Sequence, residues 1–282
     1  MTHPRLHPAR PDLAADHLEG IVEAERFVEP VDMQVTAGVT AIRREPRDDG
    51  PMDTQALFGE TFAVLEERAG WAWGYSRHDG YVGWIDMAAL SQSMAPVTHR
   101  VSALRTYLFS EPDLKSAPLC LLSMNSKIAA GERDGRFIDA GGRGWVFEGH
   151  LVPLGTHAPD FVAVAEQFVG TPYLWGGKES LGLDCSGLIQ TALEASGINV
   201  LRDTDMQEAE FAERFTAIAV DAPRQRGDIV FWKGHVGIMT DSNRLLHANA
   251  TFMATVSEPV AETERRAAEN DSPVTSVIRI EG

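Results

Sequence analysis

The chain has 282 residues, 44% hydrophobic and 23% charged, with 25 Gly, 15 Pro and two Cys. That balance excludes wholesale disorder, a collagen-like repeat and a coiled coil, and at about 150 residues per domain it leaves room for two domains or three small ones. A formal charge of −16 argues against nucleic acid or anionic lipid as partner, because phosphate binding draws on clustered Lys and Arg. Cys120 and Cys185 are too few for a disulfide framework or a Cys-rich zinc module.

Residues 1–30 lack the basic start and apolar run of a secretory signal. No window along the chain approaches the ~20 apolar residues of a membrane span. The segment, with His3, His7 and His17, reads as a polar lead-in in which Leu18, Ile21, Val22 and Phe27 make one helical turn's contact. Taken as complete, the sequence predicts a cytoplasmic protein with both thiols reduced.

Residues 33–90 read as all-β. Short apolar runs at 35–42, 61–66, 71–75 and 81–86 alternate with turn clusters at 47–51 and 78–80. Residues 98–151 repeat the pattern at an offset of about 60 residues. Glu45-Pro46 is echoed by Glu111-Pro112, Gly70-Trp71 by Gly135-Arg136, and Gly83-Trp84-Ile85 by Gly144-Trp145-Val146, and the units close on Leu90 and Leu151. Two tandem small barrels are expected, over 31–92 and 96–154. Trp71, Trp73, Trp84 and Trp145 read as barrel core and not as a carbohydrate platform. Cys120, beside Leu119, Leu121 and Leu122, reads as buried core.

The texture changes after Gly155, and an α+β domain is expected over 158–282. The spacing predicts helices at 161–169 and 186–196, the second stopped by Gly197. Strands are expected at 228–232, 235–240, 244–248 and 274–280, with Asp241-Ser242-Asn243 as a turn. The charged stretch 258–271 reads as a solvated loop or short helix.

Chemistry concentrates at Cys185, at the start of the second helix. There unpaired N–H groups and the positive dipole end favour a thiolate and predict a lowered thiol pKa. A cysteine nucleophile needs a base, and the base needs an orienting partner. His235 opens one strand and His247 lies on the next; across an odd-numbered loop their imidazoles share one sheet face. Asn249 lies on the same face, so either His247 or Asn249 can be the third member. Gly176-Gly177-Lys178-Glu179 lacks P-loop spacing, no His-Glu-x-x-His occurs, and the His residues are scattered; no metal site is expected.

Taken together, Leu183-Asp184-Cys185-Ser186-Gly187, Gly227-Asp228-Ile229, His235-Val236-Gly237-Ile238 and a second His twelve residues on resemble the NlpC family of bacterial cell-wall cysteine peptidases. The likeness spans residues 161 to about 280. It implies a papain-like α+β peptidase domain over 158–282, preceded by two bacterial SH3-like barrels. Within the family the chain is most similar to the γ-D-glutamyl-L-diamino-acid endopeptidases of the dipeptidyl-peptidase VI type, which act on murein peptides with a free N-terminal L-Ala.

The resemblance implies Cys185 as nucleophile, His235 as general base and acid, and His247 as orienter. It implies Tyr173 at the oxyanion or substrate backbone, Trp175 as a pocket wall, and Asp184 and Ser186 at the L-Ala and D-Glu portions. Arg202, Asp203 and Thr204 then line the substrate groove, with Arg202 opposite the D-Glu α-carboxylate. Glu45 and Tyr81 of the first barrel would reach the cleft. Leu201 and Thr204 depart from the family's usual Pro and Ser. The implied partner is a murein-derived peptide, with no nucleic acid, membrane or cofactor. Two further readings are an envelope hydrolase cutting intact peptidoglycan, and a non-peptidase acyltransferase or binding module on the same fold.

Overall fold

The structure, a computed structural model, describes residues 4–280. Met1 to His3 of the expected lead-in, and the last two positions of the expected peptidase domain, lie outside the described residues. The chain divides after Leu154 into two compact units.

In the first unit, residues 31–91 form a seven-stranded antiparallel sheet. Its order is Leu90–Ser91, Val31–Val35, Thr61–Arg68, Trp71–Ser76, Val82–Asp86, Val39–Arg43 and Met52–Leu57. Alternation sends successive side chains to opposite faces. Phe62, Val64 and Ala72 join Met33, Val35, Ile42, Ala56 and Ile85 in one core. Ala63, Leu65, Trp73, Tyr75 and Trp84 form a second core with Leu13 and Ala15.

That second core corrects the expectation of a polar lead-in. Ala9–Arg10, Leu13–Ala15 and Phe27–Val28 form a three-stranded sheet, and Leu13 and Ala15 are fully buried. The Arg10 guanidinium lies 4.2 Å from the Trp73 ring centroid and pairs with Glu66 at 2.7 Å. Two exposed aromatics on one sheet face would be costly in water, so the N-terminal segment is held there by apolar burial and cation–π attraction. Ile21, expected in a contact, is 66% exposed.

Residues 99–153 form a three-stranded sheet (Lys127–Ile128, His99–Val101, Leu151–Pro153) and a five-stranded one running from Pro118–Ser123 to Ala130–Asp134. Their core of Val101, Leu108, Leu122, Ile128, Ala140 and Val146 also contains Phe58, from the preceding segment, with Cys120 partly buried against it. The Lys127 N–H donates to the Phe58 carbonyl at 2.7 Å. Next to it Gly59 has φ +78°, and a Cβ there would lie 2.0 Å from the Lys127 oxygen. The two β segments therefore share core and backbone hydrogen bonds.

The second unit holds a six-stranded antiparallel sheet ordered Thr216–Ile218, Val274–Arg279, Asp228–Trp232, His235–Met239, Arg244–Asn249 and Ala254–Pro259. Helices α1 (Phe161–Glu166), α2 (Cys185–Ala195), α3 (Thr204–Arg214) and α4 (Val260–Glu269) complete it. Asp160 starts α1 by accepting the Val162 and Ala163 N–H groups. Gly197, at φ +85°, ends α2 as expected, with the Ile198 N–H returning to Leu193. Every residue of α2 is buried, because α1 and the His235–Met239 and Arg244–Asn249 strands pack around it. Helix α3 was not foreseen; it seats Phe211 edge-on against Phe231 at 5.6 Å. Of the two readings of 258–271 the short helix is the one found: α4 lays Val260 and Ala267 against the core of Val230, Trp232, Met239, Leu245 and Val277. No described helix is long and apolar enough to cross a membrane.

Gly59→Ala combines a collision with left-handed strain and is expected to destabilise the first unit by about 2–3 kcal/mol. Thermal unfolding should show the corresponding midpoint fall.

Candidate active site

The site is built around the first turn of α2. Asp184 is its N-cap: Oδ1 accepts the Gly187 N–H at 2.8 Å and Oδ2 accepts the Gly176 N–H at 2.8 Å. Arg202, with none of its surface exposed, donates from both terminal nitrogens to this carboxylate at 2.9 Å. It also donates to the Ser186 hydroxyl at 2.9 Å and the Gly177 carbonyl at 3.0 Å. Gly187 is glycine because a Cβ would lie 2.2 Å from that same carbonyl. Leu183-Asp184-Cys185-Ser186-Gly187 is thus a close-packed polar mount for residue 185.

This mount revises the expectation for Arg202. Its guanidinium is engaged by Asp184, Ser186 and Gly177, so it positions the N-cap of α2 and does not face outward to a substrate carboxylate. Asp184 and Ser186, at 7% and 4% exposure, share that buried cluster.

The Cys185 sulfur lies 3.7 Å from the Thr204 hydroxyl, which α3 presents from its first residue. It also receives the backbone N–H of Val236, next to His235. Burial, and then the Asp184 carboxylate, push the Cys185 thiol up to about 11, against the pull of Thr204 and the backbone donors. The lowered pKa expected from the helix start is therefore not found: in a dry site, desolvation of the thiolate outweighs the dipole of a short helix. His235 is pulled down to about 3, by burial first and by His247 second. Burial thus favours the uncharged forms of Cys185, His235 and His247.

Register explains the imidazole line. Met239 pairs with Leu245 across one ladder and Leu245 with Glu258 across the next. Paired residues share a face, and every second residue joins them. His235, His247, Asn249 and Glu258 therefore all lie on one face. His235 Nε2 is 2.8 Å from His247 Nδ1, and His247 Nε2 is 2.9 Å from Glu258 Oε1. Asn249 reaches His247 Nε2 at 2.8 Å, so His247 is the direct partner of His235 and Asn249 stands one step behind. Glu258 escaped the sequence reading because it opens a run of charges. Its strand alternation with Ala254 and Val256 was the available signal.

The remaining candidates fall as follows. Tyr173 is partly buried, and burial, then the neighbouring Cys185 and Asp184, raise its hydroxyl well above the ordinary phenol range. Trp175 is 66% exposed. Asp203 precedes α3, its carbonyl accepting the Gln207 N–H at 2.8 Å. Glu45 and Tyr81 belong to the first unit: Glu45 is exposed and paired with Arg47 at 2.6 Å, and Tyr81 is 2% exposed with its N–H on Asp79.

Arg202→Met strands a buried carboxylate and is expected to cost about 3–5 kcal/mol. Adding Asp184→Asn should recover part of that loss in urea unfolding. A second expectation concerns acid. His235 and His247 both have folded pKa values below the ordinary 6.5, so the stabilisation they confer is complete above pH 6.5 and is lost as pH falls toward about 3. Urea midpoints measured across that window should decline in the native protein and decline less in His235→Gln.

Comparison with known proteins agrees with this geometry. The family model described as bacterial dipeptidyl-peptidase Sh3 domain matches residues 42–90, and that of the NlpC/P60 family matches 170–265. The γ-D-glutamyl-L-lysine dipeptidyl-peptidase of Bacillus subtilis (strain 168) is 28% identical over 241 residues, covering 77% of this chain and 80% of that protein. The protein of the same name from Bacillus cereus is 25% identical over 231 residues, covering 70% and 67%. A solved NlpC/P60 family protein from Bacillus cereus superposes with TM-score 0.73 at 17% identity, over 88% of this chain and 99% of that one, and shows the shared fold. Cys185, His235 and His247 all fall inside the matched peptidase segment: the chain carries an NlpC/P60 domain and a bacterial SH3 domain, and it is a cysteine peptidase.

Proposed function

We propose that this peptidase hydrolyses the bond between γ-D-Glu and the diamino acid (L-Lys or meso-diaminopimelate) in murein peptides with a free N-terminal L-Ala, releasing L-Ala-γ-D-Glu in the cytoplasm during recycling of wall peptides. The observation that carries the reading is the buried Cys185 beside the His235 strand, in a chain alike over 77% of its length to a γ-D-glutamyl-L-lysine dipeptidyl-peptidase. Residues 96–154 are, in this reading, a second SH3-like barrel.

The Cys185 proton passes to His235 as sulfur adds to the γ-carbonyl. The Cys185 backbone N–H at the start of α2, with Tyr173, stabilises the oxyanion. His235 returns the proton to the leaving amine, and the released amine makes way for water, which His235 activates to cleave the thioester. Trp175, Asp203 and Thr204 line the groove, and Asp184, Ser186 and Arg202 frame its rear.

A second reading, cleavage of intact murein, is favoured by the 32% identity of the peptidase segment to a probable peptidoglycan endopeptidase of Bacillus subtilis. L-Ala-γ-D-Glu-L-Lys and its N-acylated form separate the two. The first reading expects the free peptide to be cut at least about tenfold faster, a factor that one desolvated ammonium–carboxylate contact can supply. Equal rates, or preference for the acylated form, would support the wall hydrolase instead.

A further inference from the structure

The imidazole line does not end at His247. Glu258, 8% exposed, places Oε1 2.9 Å from His247 Nε2. The Thr263 hydroxyl donates to the same oxygen at 3.0 Å, and Arg266 donates to it as well, both from α4. We propose that Glu258 is a positioning residue for the peptidase reaction: acting through His247, it sets which nitrogen of His235 carries the hydrogen and leaves Nδ1 as the acceptor for the Cys185 proton.

Counting hydrogens along the line assigns each ring nitrogen. Burial opposes ionisation of Glu258, but Arg266, Thr263 and His247 outweigh it and hold its carboxyl below the ordinary range. An ionised carboxylate only accepts, so His247 Nε2 must carry the hydrogen. A neutral imidazole has one N–H, so His247 Nδ1 is an acceptor. The 2.8 Å contact to His235 Nε2 is then donated by His235, and the lone pair of His235 falls on Nδ1. The hydrogen bond at one ring nitrogen decides the state of the other, and here the rule runs through two rings in series.

Asn249 pulls the other way. Its Oδ1 accepts the Phe252 N–H at 3.0 Å, which turns its NH2 toward His247 Nε2 at 2.8 Å. Were this donor to win Nε2, His247 would donate from Nδ1, His235 would accept at Nε2, and His235 Nδ1 would carry a hydrogen. His235 would then have no lone pair at Nδ1, the acceptor that the proposal assigns to the Cys185 proton. Glu258 and Asn249 thus compete for one nitrogen with opposite consequences, and the charge-assisted bond prevails. The inference needs only a cysteine peptidase and is independent of which peptide bond is cut.

The test uses the full chain with Cys120→Ser, so that iodoacetamide reads Cys185 alone, together with long-range 1H–15N imidazole spectra. The native pair is expected to show His235 hydrogen on Nε2. Glu258→Ala should move it to Nδ1 and slow Cys185 alkylation at pH 7 by about tenfold or more, as for a base held in the wrong tautomer. Glu258→Ala/Asn249→Ala should regain most of the rate, which a purely structural role for Glu258 would not produce. Glu258→Gln keeps an oxygen where three donors converge, and should retain tautomer and rate even if the alanine variant fails to fold. An unchanged His235 tautomer in folded Glu258→Ala, a double variant no faster than the single, or a Glu258→Gln protein with the Nδ1–H tautomer would each overturn the proposal.

Discussion

The buried pair between Arg202 and Asp184 is the constraint on which the site depends. Removing both charges from water is costly, and the loss is offset only when every lone pair and N–H finds a partner. Asp184 meets that demand with two backbone N–H groups and a two-pronged guanidinium, and Arg202 with Asp184, Ser186 and Gly177. Because Asp184 is also the N-cap of α2, satisfying the pair sets the direction of the helix's first turn. The next residue is Cys185. A nucleophile mounted there moves only if a buried ion pair is broken.

The same dryness governs the electrostatics. Cys185, His235 and His247 all have pKa values displaced toward their neutral forms, with burial as the leading cause. Charge is separated only when the thiol gives up its proton, and the imidazolium then meets a prepared chain of acceptors. Arg266, whose side chain is 26% exposed, donates to Glu258 at the far end of that chain, so the line runs from a buried nucleophile to a partly wet surface. Preorganised dipoles of this kind act most strongly where solvent cannot screen them.

Much of this was legible along the chain. The Asp-Cys-Ser-Gly start of α2, its stop at Gly197 and the placement of His235 and His247 on one face follow from capping, glycine geometry and strand alternation, all local properties. Alternating strands at 61–66 and 71–75 were also readable, and Trp73 and Trp84 are core, each 4% exposed. The N-terminal segment was misread because Leu13, Ala14 and Ala15 are a short apolar run among polar neighbours. Their burial depends on a sheet face made by residues some sixty positions later. Glu258 was hidden for the same reason: a carboxylate amid charges reads as solvated until the strand beside His247 and the helix carrying Thr263 and Arg266 close around it.

The sequence by itself placed Cys185 at the start of α2 and His235 and His247 on one sheet face, because each placement rests on contacts within one turn or across one hairpin. Only the tertiary structure decided three things: that Arg202 supports Asp184 from within, that burial holds the Cys185 thiol above its ordinary range, and that the histidine pair continues to Glu258. Each turns on desolvation and on partners brought from distant segments, Arg202 from the segment before α3 and Arg266 from α4. Burial is a property of the assembled chain, and no local spacing encodes how much water a folded site will exclude.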